Sequence, residues 1–432
     1  MTHTMNLNND QTLKKVRIVG LSILAFVMMF TYAIVRPATE SLFLDVYTSA
    51  KLPVVWLMVA LVTLVTVVIY NRFVVKKDLL TLFGWSAFLS AVIFSVLFVL
   101  SSYKVPGSVY ALYVWKDVYV ILLVEIYYSF SNAVFPIKTA RWAYGFFGAI
   151  SAVGGLLGNI LVGILAKKFG TEHVLWTIPP LLIITWMLNA IFARYAECEK
   201  VHKKVDKTIH FKEAVSVIRR SSYLILILLL IVVTQIVITL IDFKYNNIVE
   251  HVYPVLDERT KIIGYIYGAI NFSAILFHIL TGPVLRLAGV PIILVAVPFF
   301  LGTGIGIFII VPIFIVMAVV KVASKVFDYS IFRAAKEILY IPLSYAEKTQ
   351  GKSIIDMLAY RVAKGGASVL LMGLIMYQLD RLSIWCAIAL IGIWIFITTI
   401  IIKRYRHKVS RQAEMVSENT LNTQEDIDSR ES

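Results

Sequence analysis

The sequence predicts an all-α, polytopic membrane protein of twelve transmembrane helices arranged in two halves of six. Three observations carry that expectation. Mean hydropathy is +0.82, and 59% of the 432 residues are hydrophobic while 16% are charged, more apolar surface than a soluble domain of this size can hide. The apolar residues fall into windows of about 20, the length that crosses a bilayer as a helix. The longest polar break, Ala193 to Ser221, divides those windows six and six.

In chain order, residues 1–16 are polar and lack the apolar core and small-residue cleavage site of a signal peptide, so the first apolar run is expected to be retained. The windows are 17–36, 53–71, 79–101, 108–133, 142–166 and 174–194, then 222–241, 262–284, 290–310, 312–332, 354–378 and 383–402. They define an N-terminal bundle over 17–194 and a C-terminal bundle over 222–402. The uncharged run from Val290 to Val320 is too long for one span, and Gly302, Gly304, Gly306 and Pro312 offer a place to break it. The fifth window is dense in glycine (Gly145, Gly148, Gly154, Gly155, Gly158, Gly163), which lets helices approach closely; without a GxxxxGK[ST] pattern it reads as packing rather than as a phosphate cradle. With both termini in the cytoplasm, about 29 of the 41 lysines and arginines lie on the inner side against about 9 outside. Lys167 and Lys168 are the discordant pair, which snorkelling accommodates. That bias also accounts for the formal charge of +15 without nucleic acid.

The linker 195–221 is basic, and Phe211, Ala214, Val215 and Ile218 give it a short amphipathic helix suited to the inner membrane surface. The tail 403–432 is polar, with disorder expected from Glu414 onward. Cys198 and Cys386 are too few and too far apart for a disulfide framework or a metal site.

Charge inside the apolar windows is the functional signal. Lys321 to Lys364 holds eight basic and four acidic residues. Lys325, Arg333, Lys336, Glu337, Glu347, Lys348 and Lys352 flank the Ile341-Pro342 break and read as a water-facing loop, whereas Asp356, Arg361 and Lys364 fall within the eleventh window. A charge at the bilayer centre costs about 2.5–3.5 kcal/mol on the insertion scale, so these need a partner or a wet cavity. In the fourth window, Lys116 and Asp117 point about 100° apart on a helix and are not expected simply to neutralise each other. Glu125 lies two turns deeper and needs a partner or a proton.

Twelve windows halved by a basic loop resemble the layout of the major facilitator superfamily. A closer resemblance rests on Lys336-Glu337-Ile-Leu-Tyr340-Ile341-Pro342-Leu343, then Lys352 and Asp356, then Arg361-Val-Ala-Lys364-Gly365-Gly366. Phe130-Ser131-Asn132, Ala140-Arg141, Tyr144-Gly-Phe-Phe-Gly148 and Tyr32-Ala-Ile34-Val-Arg36 add to it. These elements are similar to those of the ATP/ADP translocase family of plastids and intracellular bacteria. The resemblance implies that Asp117, Asp242 and Lys364 are three of that family's four membrane-embedded charges; the fourth, a lysine, is Thr39 here, followed by Glu40.

The expected substrate-binding residues are Arg36, Glu40, Lys116, Asp117, Asp242, Lys244, Arg361 and Lys364, with Glu125, Asn132, Arg141, Lys336, Glu337 and Asp356 in coupling or gating roles. The cations offer charge-assisted donors to phosphate; Trp115, Tyr127, Tyr128, Tyr245 and Tyr360 are stacking or interfacial aromatics. The function expected is exchange of nucleotides or related phosphorylated anions by a monomeric carrier. A carrier of a non-nucleotide metabolite, proton-coupled through Glu125 or Asp242, and a non-transporting receptor or assembly subunit stay open. No Ser-His-Asp, metal-ligand or P-loop pattern points to an enzyme, and no cofactor, metal or nucleic acid is expected.

Overall fold

The computed structural model describes residues 2–74, 77–135, 137–195, 211–344, 347, 351, 352, 355 and 359–431. Those residues are helical apart from short turns. The first half contains α1 (Thr2–Tyr47), α2 (Leu52–Val74), α3 (Leu79–Ser102), α4 (Ser108–Val134), α5 (Ile137–Phe169), the short α6 (Thr171–Leu175) and α7 (Ile178–Tyr195). The linker supplies α8 (Phe211–Arg220), where the sequence places its amphipathic helix. The second half contains α9 (Ser222–Val252), α10 (Leu256–Ile310), α11 (Phe314–Tyr329), α12 (Ile331–Ile338), α13 (Tyr360–Met376) and α14 (Ser383–Glu431).

Local chemistry sets several boundaries. The Asp78 carboxylate accepts from the Thr81 backbone N–H at 2.9 Å and caps α3, and the Ser221 hydroxyl accepts from Leu224 to cap α9. Gly289, at φ 77° and ψ 161°, breaks the helical path of α10 and divides it into two arms. The long apolar run ends at Ile310 and resumes at Phe314, so the break expected there falls at Pro312. The polar tail differs from the expected disorder: α14 continues as helix to Glu431, through a stretch with no glycine or proline. In the same way α1 begins at Thr2, ahead of the first apolar window.

Among the described residues, eight helical segments are long and apolar enough to cross a membrane, one of them the two-armed α10. The windows outside that set are the ones held by α4, α11 with α12, and α13. As helices, α11 and α13 are only 16 and 17 residues long, and α4 carries Lys116, Asp117 and Glu125.

Within the first half α1 packs on α4, α5 and α7, and α3 on α4 and α7; within the second, α9 packs on α11, α13 and α14, and α10 on α11, α12 and α14. The halves meet through α5 with α10, α1 with α10, and α2 with α13. Glycines show how that meeting changes along its length. A Cβ on Gly163 would lie 2.8 Å from the Tyr265 ring, one on Gly155 2.6 Å from Asn271, and one on Gly264 2.9 Å from the Asn159 carbonyl. Toward the end that carries the termini, Gly145, Gly148 and Gly282 have nothing within 4 Å of such an atom. The halves are therefore in contact at the end remote from the termini and splayed at the other.

Candidate functional site: a charged chamber between the halves

The splay encloses two adjoining compartments of about 800 Å³ and about 410 Å³ that share Tyr32, Arg36, Tyr267, Lys325 and Tyr329. The larger lies among α1, α5, α10 and α11, with small residues such as Gly148 and Ala152 beside tyrosines and the amides Asn159 and Asn271. The smaller reaches α2, α4, α9 and α13 and holds the charge.

In the first half, α1 sets Arg36 and Glu40 one turn apart, and the Arg36 Nε donates to Glu40 at 3.2 Å. Arg36 also stacks over the Tyr267 ring at 3.9 Å, bringing an α10 aromatic against an α1 cation. Lys116 on α4 is 1% exposed, with its Nζ 2.9 Å from Asp117 and 3.7 Å from Glu40. Lys116 and Asp117 thus do pair, contrary to the argument from helix angle. The four-carbon lysine stem spans the angular gap between neighbouring positions, and burial leaves the ammonium no water to prefer.

In the second half, Asp242 on α9 receives two lysines of α11, Lys321 at 2.5 Å and Lys325 at 2.7 Å. Four residues apart, they occupy one helix face. Lys325 is buried, which corrects its assignment to the water-facing loop: α11 runs as helix to Tyr329, so the loop begins later than the charge pattern suggests. Lys321 was missed for the same reason. The i, i+4 spacing within an apolar window was the signal that could have found both. Next along α11, Asp328 takes the amide of Gln235 at 3.2 Å.

Arg361 and Lys364 on α13 line the same compartment, with Lys364 5.9 Å from the Trp56 ring of α2. Among the described residues, neither has a carboxylate within 4 Å. Thr39 is wholly buried and its hydroxyl donates to the Val35 carbonyl at 2.7 Å, so that position contributes no charge.

Six of the eight expected binding residues, Arg36, Glu40, Asp117, Asp242, Arg361 and Lys364, therefore line one chamber, and Lys116 is buried behind it against Glu40 and Asp117. Lys244 does not line it; it stands half-buried near Asp380 and Arg381, at the turn between α13 and α14. Of the expected coupling residues, Glu125 is on the exposed side of α4 within electrostatic reach of Tyr70 on α2. Asn132 accepts from the Tyr144 hydroxyl, and Glu337 pairs with Lys352 at 2.6 Å beside Lys336 on α12. None of these four lines either compartment. The Arg141 side chain and Asp356 lie outside the described residues.

In overall shape the chain is similar to a bacterial homologue of the iron transporter ferroportin in inward-facing state, with TM-score 0.68, 11% identity, and coverage of 90% of this chain and 98% of that one. It is also similar to the nucleoside transporter NupG, with TM-score 0.64, 12% identity, and coverage of 89% and 98%. These likenesses establish a fold of the major facilitator type. In sequence it is 24% identical over 332 residues to ADP,ATP carrier protein 1 of Chlamydia pneumoniae, covering 65% of this chain and 64% of that protein. It is 25% identical over 335 residues to ADP,ATP carrier protein 4 of Rickettsia bellii, covering 67% and 62%. The chain thus spans a little over three-fifths of the length of the curated relatives it matches. The profile of the TLC ATP/ADP transporter family matches residues 107–406, more than half of the chain and the part that includes Asp117, Asp242, both α11 lysines and Lys364: the chain belongs to the TLC ATP/ADP transporter family.

Proposed function

We propose that this protein exchanges nucleotides, or closely related phosphorylated anions, across the cytoplasmic membrane by alternating access of the chamber between its halves. The observation that carries the reading is the charge imbalance. Arg36, Lys116, Lys321, Lys325, Arg361 and Lys364 line or back a chamber whose carboxylates are Glu40, Asp117 and Asp242, an excess of three positive charges. A polyanion balances that excess with charge-assisted hydrogen bonds, and the tyrosine-lined compartment beside it has room for a base and a sugar. Lysines beside small, movable carboxylates suit a site that binds and releases.

Exchange, rather than one-way flux, follows from the same imbalance. An emptied chamber leaves buried cations uncompensated, and reorienting them through the membrane interior is costly. A returning anion removes that cost. In this reading the chain is a twelve-span monomer with both termini in the cytoplasm.

A phosphorylated metabolite other than a nucleotide is the second reading, and Thr39 favours it, since one cation implied by the family resemblance is missing. Proteoliposome uptake separates the two. Labelled ATP and ADP are expected to enter vesicles preloaded with nucleotide at least tenfold faster than empty ones, and Lys364→Ala to abolish that uptake. If nucleotide flux is absent while a labelled sugar phosphate exchanges, the substrate is the non-nucleotide one; no flux of any phosphorylated anion ends the proposal.

A further inference from the structure

Among the described residues, Arg259, near the start of α10, is the largest buried cation outside the chamber, at 2% exposure. All of its hydrogen-bonding capacity is used. Its Nε donates to the Ser41 hydroxyl at 3.2 Å and its Nη2 to the Ser41 carbonyl at 3.0 Å and the Asp45 carboxylate at 2.8 Å. Its Nη1 donates to the carbonyls of Tyr253 and Pro254 at 3.3 and 3.2 Å. Five N–H groups meet five acceptors, three of them on the other half of the molecule. The Ser41 hydroxyl in turn donates to the Leu256 carbonyl at 2.9 Å, so the bond runs both ways between α1 and α10.

Two carboxylates of the second half reinforce the closure by holding backbone amides of the first. Asp257 accepts from the Thr171 N–H at 2.6 Å, and Glu250 accepts from the Ser49 N–H at 2.7 Å. Both lie at the same end as Arg259, remote from the termini. The closure is also next to the chamber in sequence. Glu40, the neighbour of Ser41, accepts from the Tyr267 hydroxyl at 2.9 Å while holding Arg36, so any movement of α1 that follows a change at Glu40 is felt at Ser41.

We propose that Arg259, clasped by Ser41 and Asp45, is the latch that keeps the chamber shut on the side remote from the termini. Opening that side strips a buried guanidinium of three acceptors at once, so the latch opens as a unit rather than by fraying. Arg259 touches no substrate in this arrangement; it is a positioning residue for the halves.

The test reads access directly and needs no transported substrate, so it stands or falls separately from the exchange reading. A cysteine is placed in the larger compartment as Ala152→Cys, in a chain carrying Cys198→Ser and Cys386→Ser, and exposed in membrane vesicles to an impermeant maleimide on either side. With Arg259 intact, labelling is expected from the side of the termini and to be at least tenfold slower from the opposite side. Arg259→Gln should raise opposite-side labelling at least tenfold while termini-side labelling shows that the fold is kept. Asp45→Asn, at a carboxylate that is 43% exposed and so tolerant of substitution, should raise it severalfold and decides the matter if Arg259→Gln does not fold. Opposite-side labelling that stays unchanged in the folded variants overturns the latch. If labelling responds but no nucleotide flux exists, the latch stands and the substrate reading falls.

Discussion

Asp242 is the residue on which the second half's charges depend, because one carboxylate compensates two lysines, Lys321 and Lys325. Removing one partner of a buried ion pair typically costs about 3–5 kcal/mol, since the other charge is stranded. Asp242→Asn is therefore expected to lower the thermal midpoint in detergent more than Lys325→Gln, which leaves Lys321 to hold the carboxylate. Part of the Asp242→Asn loss should return on adding ADP or pyrophosphate, whose oxygens take the vacated place; a loss that no anion restores would mean the lysines do not face the substrate. Single residues were also where the sequence was hardest to read. Asp117 and Lys364 were legible because charges in apolar windows are costly and conspicuous, whereas Asp242, one residue past the seventh window, was singled out by the family resemblance alone. Lys321 and Lys325 were masked by the charged loop that follows them. The Lys116–Asp117 pair was masked by a helical-wheel argument that neglects how far a lysine reaches.

The glycines of α5 make two opposite predictions along one helix. A Cβ on Gly154 or Gly158 would sit 2.5 Å from the carbonyl oxygen of Phe26 or Phe30 on α1, and a backbone cannot step aside as a side chain can. Gly154→Ala and Gly158→Ala are expected to destabilise strongly. Gly145→Ala and Gly148→Ala meet open space and should be neutral or stabilising by about 0.5–1 kcal/mol, as alanine restricts the unfolded chain more than glycine does. Thermal unfolding of the four variants checks this, and equal effects would contradict the close packing of α5 on α1 at Gly154 and Gly158 or the open space at Gly145 and Gly148. Glycine density in the sequence was enough to show that α5 packs closely. It did not tell which glycines pack, since that depends on a partner helix about 130 residues earlier in the chain.

A second element-scale prediction concerns Glu347, outside the membrane. Partial burial pushes its carboxyl upward, but the hydroxyl of Ser221 and the amide and hydroxyl of Ser344 prevail and hold it below the usual carboxylate range. A depressed carboxylate contributes its tie while ionised and loses it as pH falls through the folded-state value. The loop should therefore stay tied to the start of α9 down through the ordinary glutamate range and release only in stronger acid. Amide exchange at Ser344 is expected to rise at that point, and to be fast at all pH values in Glu347→Gln.

At the scale of the whole molecule, the all-helical, many-span class was readable because hydropathy is a property of stretches rather than of contacts. The chamber was not, because it exists only where the two halves face each other. Arg36 and Tyr267, or Lys364 and Trp56, are brought together from opposite halves of the chain. Arg259 gave no sequence signal at all: it falls in the polar break between the seventh and eighth windows, where arginine is ordinary.

The contact of Gly155 with Asn271 lies between the splayed and the closed ends of α5. At about 1.5 Å of rise per residue, Gly163 is about 12 Å to one side of it and Gly148 about 10 Å to the other. The lever arms are nearly equal. If the halves rock as rigid bodies about that fulcrum, the distance by which one mouth narrows is close to the distance by which the other widens. Such a molecule has no pose with both mouths wide, so the membrane is protected from a through-pore by the proportions of one helix pair.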